Sequence, residues 1–189
     1  MNISAVLLAG GESRRMGKDK ATLLFRGTPL WQIQLGLLRN LKPAKIFLSA
    51  RTSPVWRPAG VEFIADDPPS RGPLSGLAAS LAQMRTKHLL ALAIDMPFMT
   101  QEYLKFLCDQ IGPGRGVLPK IDNRAEPLAA IYPREVDVDL RSALSGVDFS
   151  LQSLTSRLVE AGKLRTITVS EEARGRFFNV NKPADLQST

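Results

Sequence analysis

Ile3-Ser4-Ala5-Val6-Leu7-Leu8-Ala9-Gly10-Gly11-Glu12-Ser13-Arg14-Arg15-Met16-Gly17-Lys18-Asp19-Lys20 joins two kinds of sequence. Ile3 to Leu8 is a near-continuous apolar run, as expected for a strand buried on both faces of a parallel sheet. Beyond it, three glycines, two arginines and two lysines crowd into one loop. Glycine permits backbone conformations and close approaches that a side chain would block. Successive N–H groups can then form an anion-binding nest, and the basic side chains add charge around it. The residue types alone also fit a plain solvated basic turn after a strand.

Two common phosphate motifs are excluded. A P-loop needs G-x-x-x-x-G-K-[ST], but five residues separate Gly11 from Gly17 and Asp19 follows Lys18. The dinucleotide fingerprint G-x-G-x-x-G fails because Gly10 and Gly11 are adjacent.

Outward from this loop the chain alternates strands and helices. Pro29 to Leu41 is predicted to be a helix, with Thr28 as N-cap and Pro29 at the first helical position. Lys45 to Ala50 and Val61 to Ile64 read as strands, the second ending at Ala65-Asp66-Asp67. A rigid loop from Pro68 to Pro73 leads into a helix over Leu74 to Met84, rich in small residues. His88 to Ile94 is a second apolar strand, and Thr100 is expected to cap a helix through Asp109. Such repeated units predict a three-layer α/β/α fold with a mostly parallel sheet. Folds of this kind bind ligands at the carboxyl ends of their strands.

Past Ile111 the pattern is less regular. Gly112 to Gly116 reads as a flexible connector; Gly116 to Leu118 and Leu128 to Tyr132 as short strands; Glu135 to Leu144 and Ser150 to Gly162 as helices; Leu164 to Val169 as a strand. Without a repeat or a clear second boundary, 189 residues are expected to form one domain, with a regular half over 1–110 and a less regular half over 111–189.

Twenty-five basic and 18 acidic residues give a net charge of +7, which favours anionic partners. No RNA-recognition signature, zinc-finger spacing or long arginine-rich tail is present, and small phosphorylated substrates explain the charge as well as nucleic acid does. No apolar run reaches the roughly 18 residues that span a bilayer. The N-terminal strand pattern argues against a cleaved signal peptide. The single cysteine, Cys108, cannot form an internal disulfide, in keeping with a cytoplasmic protein.

Asp95 follows the apolar run Leu89 to Ile94 directly, at the expected mouth of the sheet. A carboxylate there can hold Mg²⁺, a hard cation that takes oxygen ligands, or it can simply cap a turn. Asp66 and Asp67 end the preceding strand; one could hydrogen-bond a base or ribose while the other caps the turn. His88, the only histidine, reads as structural, and Cys108 as core. No nucleophile–base pair and no zinc spacing are present. Positioning and electrostatics must therefore carry any phosphoryl chemistry.

The pattern L-A-G-G-x-S-x-R-M-G-x-D-K, complete at Leu8 to Lys20, resembles the signature loop of the MobA-like nucleotidyltransferases. Gly27-Thr28-Pro29-Leu30, Gly72-Pro73-Leu74-Ser75-Gly76, Asp95-Met96-Pro97-Phe98, Glu126-Pro127-Leu128 and Phe178-Asn179-Val180-Asn181, with Pro183 and Asp185-Leu186, extend the likeness over most of the chain. The resemblance implies transfer of GMP from Mg-GTP to the terminal phosphate of molybdenum-bearing molybdopterin, releasing pyrophosphate. It assigns Leu8, Ala9 and Gly10 to the nucleoside, Gly11 and Arg15 to the phosphates, and Lys20 to the triphosphate. It further assigns Asp66 to the nucleoside, Asp95 to Mg²⁺, and Asn179 and Asn181 to the acceptor side. Ser49 stands where the family's guanylyl enzymes carry an asparagine that contacts the nucleotide. Partners implied besides GTP and molybdopterin are molybdenum-insertion proteins and apo-molybdoenzymes, with no membrane or nucleic acid. Alternatives are a CTP-dependent cytidylyltransferase acting on the same acceptor and a non-catalytic GTP-binding delivery module.

Overall fold

A computed structural model describes residues 2–10, 19–66, 69–180 and 185. Its centre is an eight-stranded sheet. The strands are β1 (Ile3–Leu8), β4 (Ile46–Ala50), β5 (Glu62–Ala65), β6 (His88–Ala93), β7 (Gly116–Ile121), β8 (Arg124–Ala125), β9 (Ile131–Pro133) and β10 (Leu164–Thr168). They lie in the order β10-β7-β9-β6-β1-β4-β5, with β8 paired to β7. The pairs β1/β4, β1/β6, β4/β5 and β7/β10 are parallel, whereas β9 runs antiparallel to both neighbours. This is the predicted mostly parallel α/β/α architecture. One sheet joins the strands of both halves of the chain.

The central strands have no polar face because both their faces are covered. All six residues of β1 and all six of β6 are buried. Alternate β1 side chains serve opposite cores: Ile3, Ala5 and Leu7 on one face, Val6 and Leu8 on the other. The first core is closed by α1 (Leu30–Asn40) and α3 (Gln101–Asp109). The second is closed by α2 (Pro73–Gln83), α4 (Asp137–Ser145) and α5 (Leu151–Glu160). A short helix, α6 (Glu171–Arg174), precedes the C-terminal segment and had no forecast.

Three local expectations change. Thr28 is not a helix cap, because Thr28–Pro29 forms β3, antiparallel to β2 (Leu24–Phe25), and Pro29 takes the N-cap position of α1. The joining turn has φ of 49° at Arg26 and 79° at Gly27, the left-handed pair of a tight hairpin. The Gly112–Gly116 connector is a closed turn, with Gly112 and Arg115 exchanging backbone hydrogen bonds at 3.2 Å. Strand β7 also runs three residues past Leu118, since β8, β9 and β10 all pair with it. Thr100 does cap α3, its hydroxyl accepting from Tyr103 N at 3.2 Å.

Chain direction sets the site. From β1 the next strands, β4 and β5, lie on one side, and β6 lies on the other. The carboxyl ends of β1 and β6 therefore flank a switch point, where such sheets open a crevice.

Candidate active site

A cleft of about 380 Å³ opens at that switch point. Its floor is Leu8, Ala9 and Gly10 from the end of β1, beside Ala93, Ile94 and Asp95 from the end of β6. Main-chain bonds fix this floor: Ile94 N donates to Leu8 O at 3.1 Å and Ala9 N to Ser49 O at 2.9 Å. Gly10 is required by proximity, since a Cβ there would lie 3.0 Å from Asp66 Oδ2.

At one end stands an ion pair. Lys20 Nζ lies 3.1 Å from Asp95 Oδ2, with both side chains about one-fifth exposed. Each partner is held by its backbone. Asp19 caps the short 3₁₀ turn Lys20–Thr22, accepting from Ala21 N at 3.0 Å. Its other carboxylate oxygen accepts from Trp56 Nε1 at 2.8 Å, and Trp56 stacks on Trp31 of α1 at 5.5 Å. On the opposite side Asp95 O accepts from Val180 N at 2.8 Å, and Met96 O accepts from the buried Gln34 amide at 2.6 Å. The Asp95 turn is thus pinned by the C-terminal segment and by α1.

Asp66, only 8% exposed, lines another wall of the same cleft. Its Oδ1 accepts from Ser49 Oγ at 2.7 Å and its Oδ2 from Ser70 Oγ at 3.2 Å. The start of α2 completes that wall through Gly72, with φ +65°, and Pro73 at the first helical position. A helix N-terminus offers unpaired amides and a partial positive charge, both suited to an anion or a polar base edge.

The structure thus brings Leu8, Ala9, Gly10, Lys20, Asp66 and Asp95 into one cleft. Asn179, half-buried, lies beside it through the adjoining Val180–Asp95 bond. Gly11, Arg15, Asn181 and the alternative Asp67 fall outside the described residues. Ser49 needs a correction: it is 1% exposed and does not line the cleft, its hydroxyl turned onto Asp66. Arg51 and Ser70, also on the cleft wall, were missed. Arg51 follows β4 directly, as Asp66 follows β5, so its place at a strand end was the available signal.

His88 and Cys108 stay out of the site. His88 starts β6, at the end remote from Asp95, and is 6% exposed. Burial pushes the Cys108 thiol up to about 11, which keeps it protonated and inert. Among the described residues no group of three or more acidic, histidine or cysteine side chains forms a ready-made metal cage. Asp95 alone still fits Mg²⁺, which takes one or two carboxylates and completes its shell with substrate phosphates and water.

A model of the MobA-like NTP transferase domain matches residues 5–161. The chain belongs to this family. A relative from Opitutus terrae, named "Probable molybdenum cofactor guanylyltransferase", is 34% identical across 97% of this chain and 92% of its own. The crystal structure of molybdopterin-guanine dinucleotide biosynthesis protein A from Archaeoglobus fulgidus aligns with a TM-score of 0.75 at 26% identity. That alignment covers 98% of this chain and 95% of that one. A nucleotidyl transferase from Methanothermobacter shares the fold alone, with a TM-score of 0.79 at 17% identity over 98% and 94% of the two chains. As a MobA-like NTP transferase the chain is a nucleotidyltransferase. Among the described residues no helix is long and apolar enough to cross a membrane.

Proposed function

We propose that this enzyme transfers GMP from GTP to the terminal phosphate of molybdenum-bearing molybdopterin. The observation that carries the reading is one cleft holding both the Lys20–Asp95 pair and the buried Asp66. The first suits phosphates and the second suits a nucleoside with hydrogen-bond donors. Relatives named as molybdenum cofactor guanylyltransferases over nearly the whole chain support the choice of nucleotide and acceptor.

An oxygen of the acceptor phosphate bonds to the α-phosphorus of GTP as the bond from that phosphorus to the pyrophosphate oxygen breaks. Pyrophosphate leaves with the electron pair. The attacking oxygen is already anionic, so no strong base is required, consistent with a lone histidine far from the cleft. Lys20 exchanges Asp95 for the triphosphate and balances the charge that moves onto the leaving group. Arg15 and Arg51 add to the same field, and Leu8, Ala9, Gly10 and Gly11 let the nucleotide lie against the main chain. Asp66 receives base or ribose donors. When bound, Mg²⁺ supplies further positive charge to the phosphates, and Asp95 is the residue that would hold it. Asn179 serves the acceptor side, and the resemblance adds Asn181 to the same role.

Within this reading residues 1–110 form the nucleotide half and 111–189 the acceptor half of one domain. The reaction belongs in the cytoplasm, with molybdenum-insertion proteins and apo-molybdoenzymes as donors and recipients. Calorimetry with GTP, CTP and ATP, with and without Mg²⁺, tests it. Selective, Mg²⁺-enhanced GTP binding is expected. Preference for CTP would move the activity to cytidylyl transfer, and GTP binding without pyrophosphate release in the presence of acceptor would make the protein a delivery module.

A further inference from the structure

Asp66 is governed by a hydroxyl that no ligand can reach. Ser49 is 1% exposed and packed under α2: a Cβ on Gly76 would sit 2.2 Å from Ser49 Oγ and 2.9 Å from Leu8 Cδ2. The hydroxyl proton is committed to Asp66 Oδ1 at 2.7 Å. A serine has one O–H, so none is left for a ligand. The other carboxylate oxygen, Oδ2, lies on the Gly10 side and, among the described residues, accepts the longer 3.2 Å bond from Ser70. The carboxylate is therefore anchored inward through one oxygen and offered to the cleft through the other.

We propose that Ser49 is the positioning residue for nucleobase selection, fixing the Asp66 carboxylate so that Oδ2 meets a base edge rich in N–H donors. The inference rests on the guanylyl-transfer reading and adds the device that sets its selectivity. Guanine presents adjacent N1–H and exocyclic N–H donors, which an ionised carboxylate accepts. Adenine presents an acceptor at N1, which the same oxygen repels. Free rotation of Asp66 would blur that distinction without touching the Lys20–Asp95 end of the cleft. A serine here, where an asparagine would reach the nucleotide itself, thus passes recognition one residue outward.

The test measures Kd for GTP and ATP, and kcat and KM with GTP, in Ser49→Ala, Ser49→Cys and Asp66→Asn. Loss of a hydrogen bond to a charged group predicts GTP binding about tenfold weaker in Ser49→Ala. ATP binding should change by less than about twofold and kcat at saturating GTP by less than about threefold, since only the selective contact is lost. Ser49→Cys retains a side chain against Gly76 with a poorer donor, and should move the GTP to ATP ratio in the same direction. Added to Asp66→Asn, Ser49→Ala should cost nothing more, because the hydroxyl acts only through that carboxylate. An unchanged ratio in both position-49 variants, or an equal loss for both nucleotides, overturns the inference. If the wild type instead prefers another nucleotide, the guanylyl reading fails. The relay is then decided by the same collapse, or its absence, for the preferred nucleotide over the others.

Discussion

Gly76→Ala should destabilise the protein, and Ser49→Ala should reduce that cost. Gly76 lies in the first turn of α2, where its missing side chain lets the helix settle on β1 and β4. An added Cβ would stand 2.2 Å from Ser49 Oγ, 2.9 Å from Leu8 Cδ2 and 3.1 Å from Ser49 Cβ. An ordinary contact begins near 3.4 Å, so either the helix lifts by more than 1 Å or Ser49 turns away from Asp66. Overpacking of this kind costs about 1–3 kcal/mol, against a helix-propensity gain of about 1 kcal/mol for alanine over glycine. The expected net loss is up to about 2 kcal/mol, or a Tm lower by up to about 8 °C for a chain of this size. In the Ser49→Ala background the 2.2 Å contact no longer exists. What remains is the far end of a leucine side chain at 2.9 Å and a Cβ at 3.1 Å, both closer than ordinary contact but with no overlap as severe, so the same change should cost less. Urea unfolding of the four proteins, followed by far-ultraviolet circular dichroism, gives a coupling energy of about 1–3 kcal/mol. Equal costs for Gly76→Ala in both backgrounds would show that Ser49 is not where the helix rests.

Asp95→Asn should lower kcat/KM for pyrophosphate release by about 10²–10³-fold while leaving Tm within a few degrees, as expected when an electrostatic group of the reaction is lost from a partly exposed pair. Near-normal turnover would remove Asp95 from the chemistry. Cys108, its thiol raised to about 11 mainly by burial and further by Asp109, should resist a thiol reagent at pH 8 until the protein unfolds. Fast labelling of the native protein would contradict that packing. Burial holds the His88 imidazole below its ordinary 6.5, assisted by Lys87 and opposed by backbone contacts at Arg115 and Gly112 and by Glu135. The unfolded chain therefore takes up this proton first, so His88 costs stability as pH falls below 6.5 and costs none above it. Thermal melts at pH 8 and pH 5 should show a larger loss for the wild type than for His88→Gln; equal losses would clear His88. Trp56, bonded to Asp19 beside Lys20, should report nucleotide binding. Tryptophan fluorescence should respond to GTP in the wild type but not in Trp56→Phe, and an equal response in both would place the signal elsewhere.

What the sequence revealed followed from burial and from backbone necessity. Ile3 to Leu8 and His88 to Ala93 are apolar without alternation because both sheet faces are covered, so those strands and the acidic residue ending the second were legible. Gly10 could be recognised as a close-approach glycine, although its neighbour, Asp66 Oδ2, is 56 positions away and invisible to local pattern. The hairpin Leu24–Pro29 escaped because its turn uses Arg26 in the left-handed region, where asparagine or aspartate is the usual signal. Ser49 was misread because hydrogen-bonding capacity says nothing about direction. Its position after Leu48 marks a strand end, but only the packed helix above it shows which way the hydroxyl turns. Arg51 was passed over among 25 basic residues, though it follows the last residue of β4 immediately, whereas Asp95 stands two residues past the end of β6.

The two ends of the cleft are built on different physical terms, and the difference suits a transfer enzyme. Selection among bases demands fixed geometry, and that end is nearly closed: Ser49 and Asp66 are buried, joined by a short hydrogen bond and walled by α2. A misaligned acceptor there would pay its desolvation without a partner. Transfer of a phosphorus group demands charge that can change partners, and the Lys20–Asp95 end is more open, with each member of the pair able to exchange the other for a substrate group. Both side chains are only about one-fifth exposed, so the pair separates at low cost only where substrate charge replaces each partner. Both ends grow from the carboxyl edge of one sheet; the proposed reading puts selection at the ends of β4 and β5, and chemistry at the end of β6 and in the segment after β1. Changes at Ser49 or Gly76 should therefore act on which nucleotide enters, and changes at Lys20 or Asp95 on what happens to it.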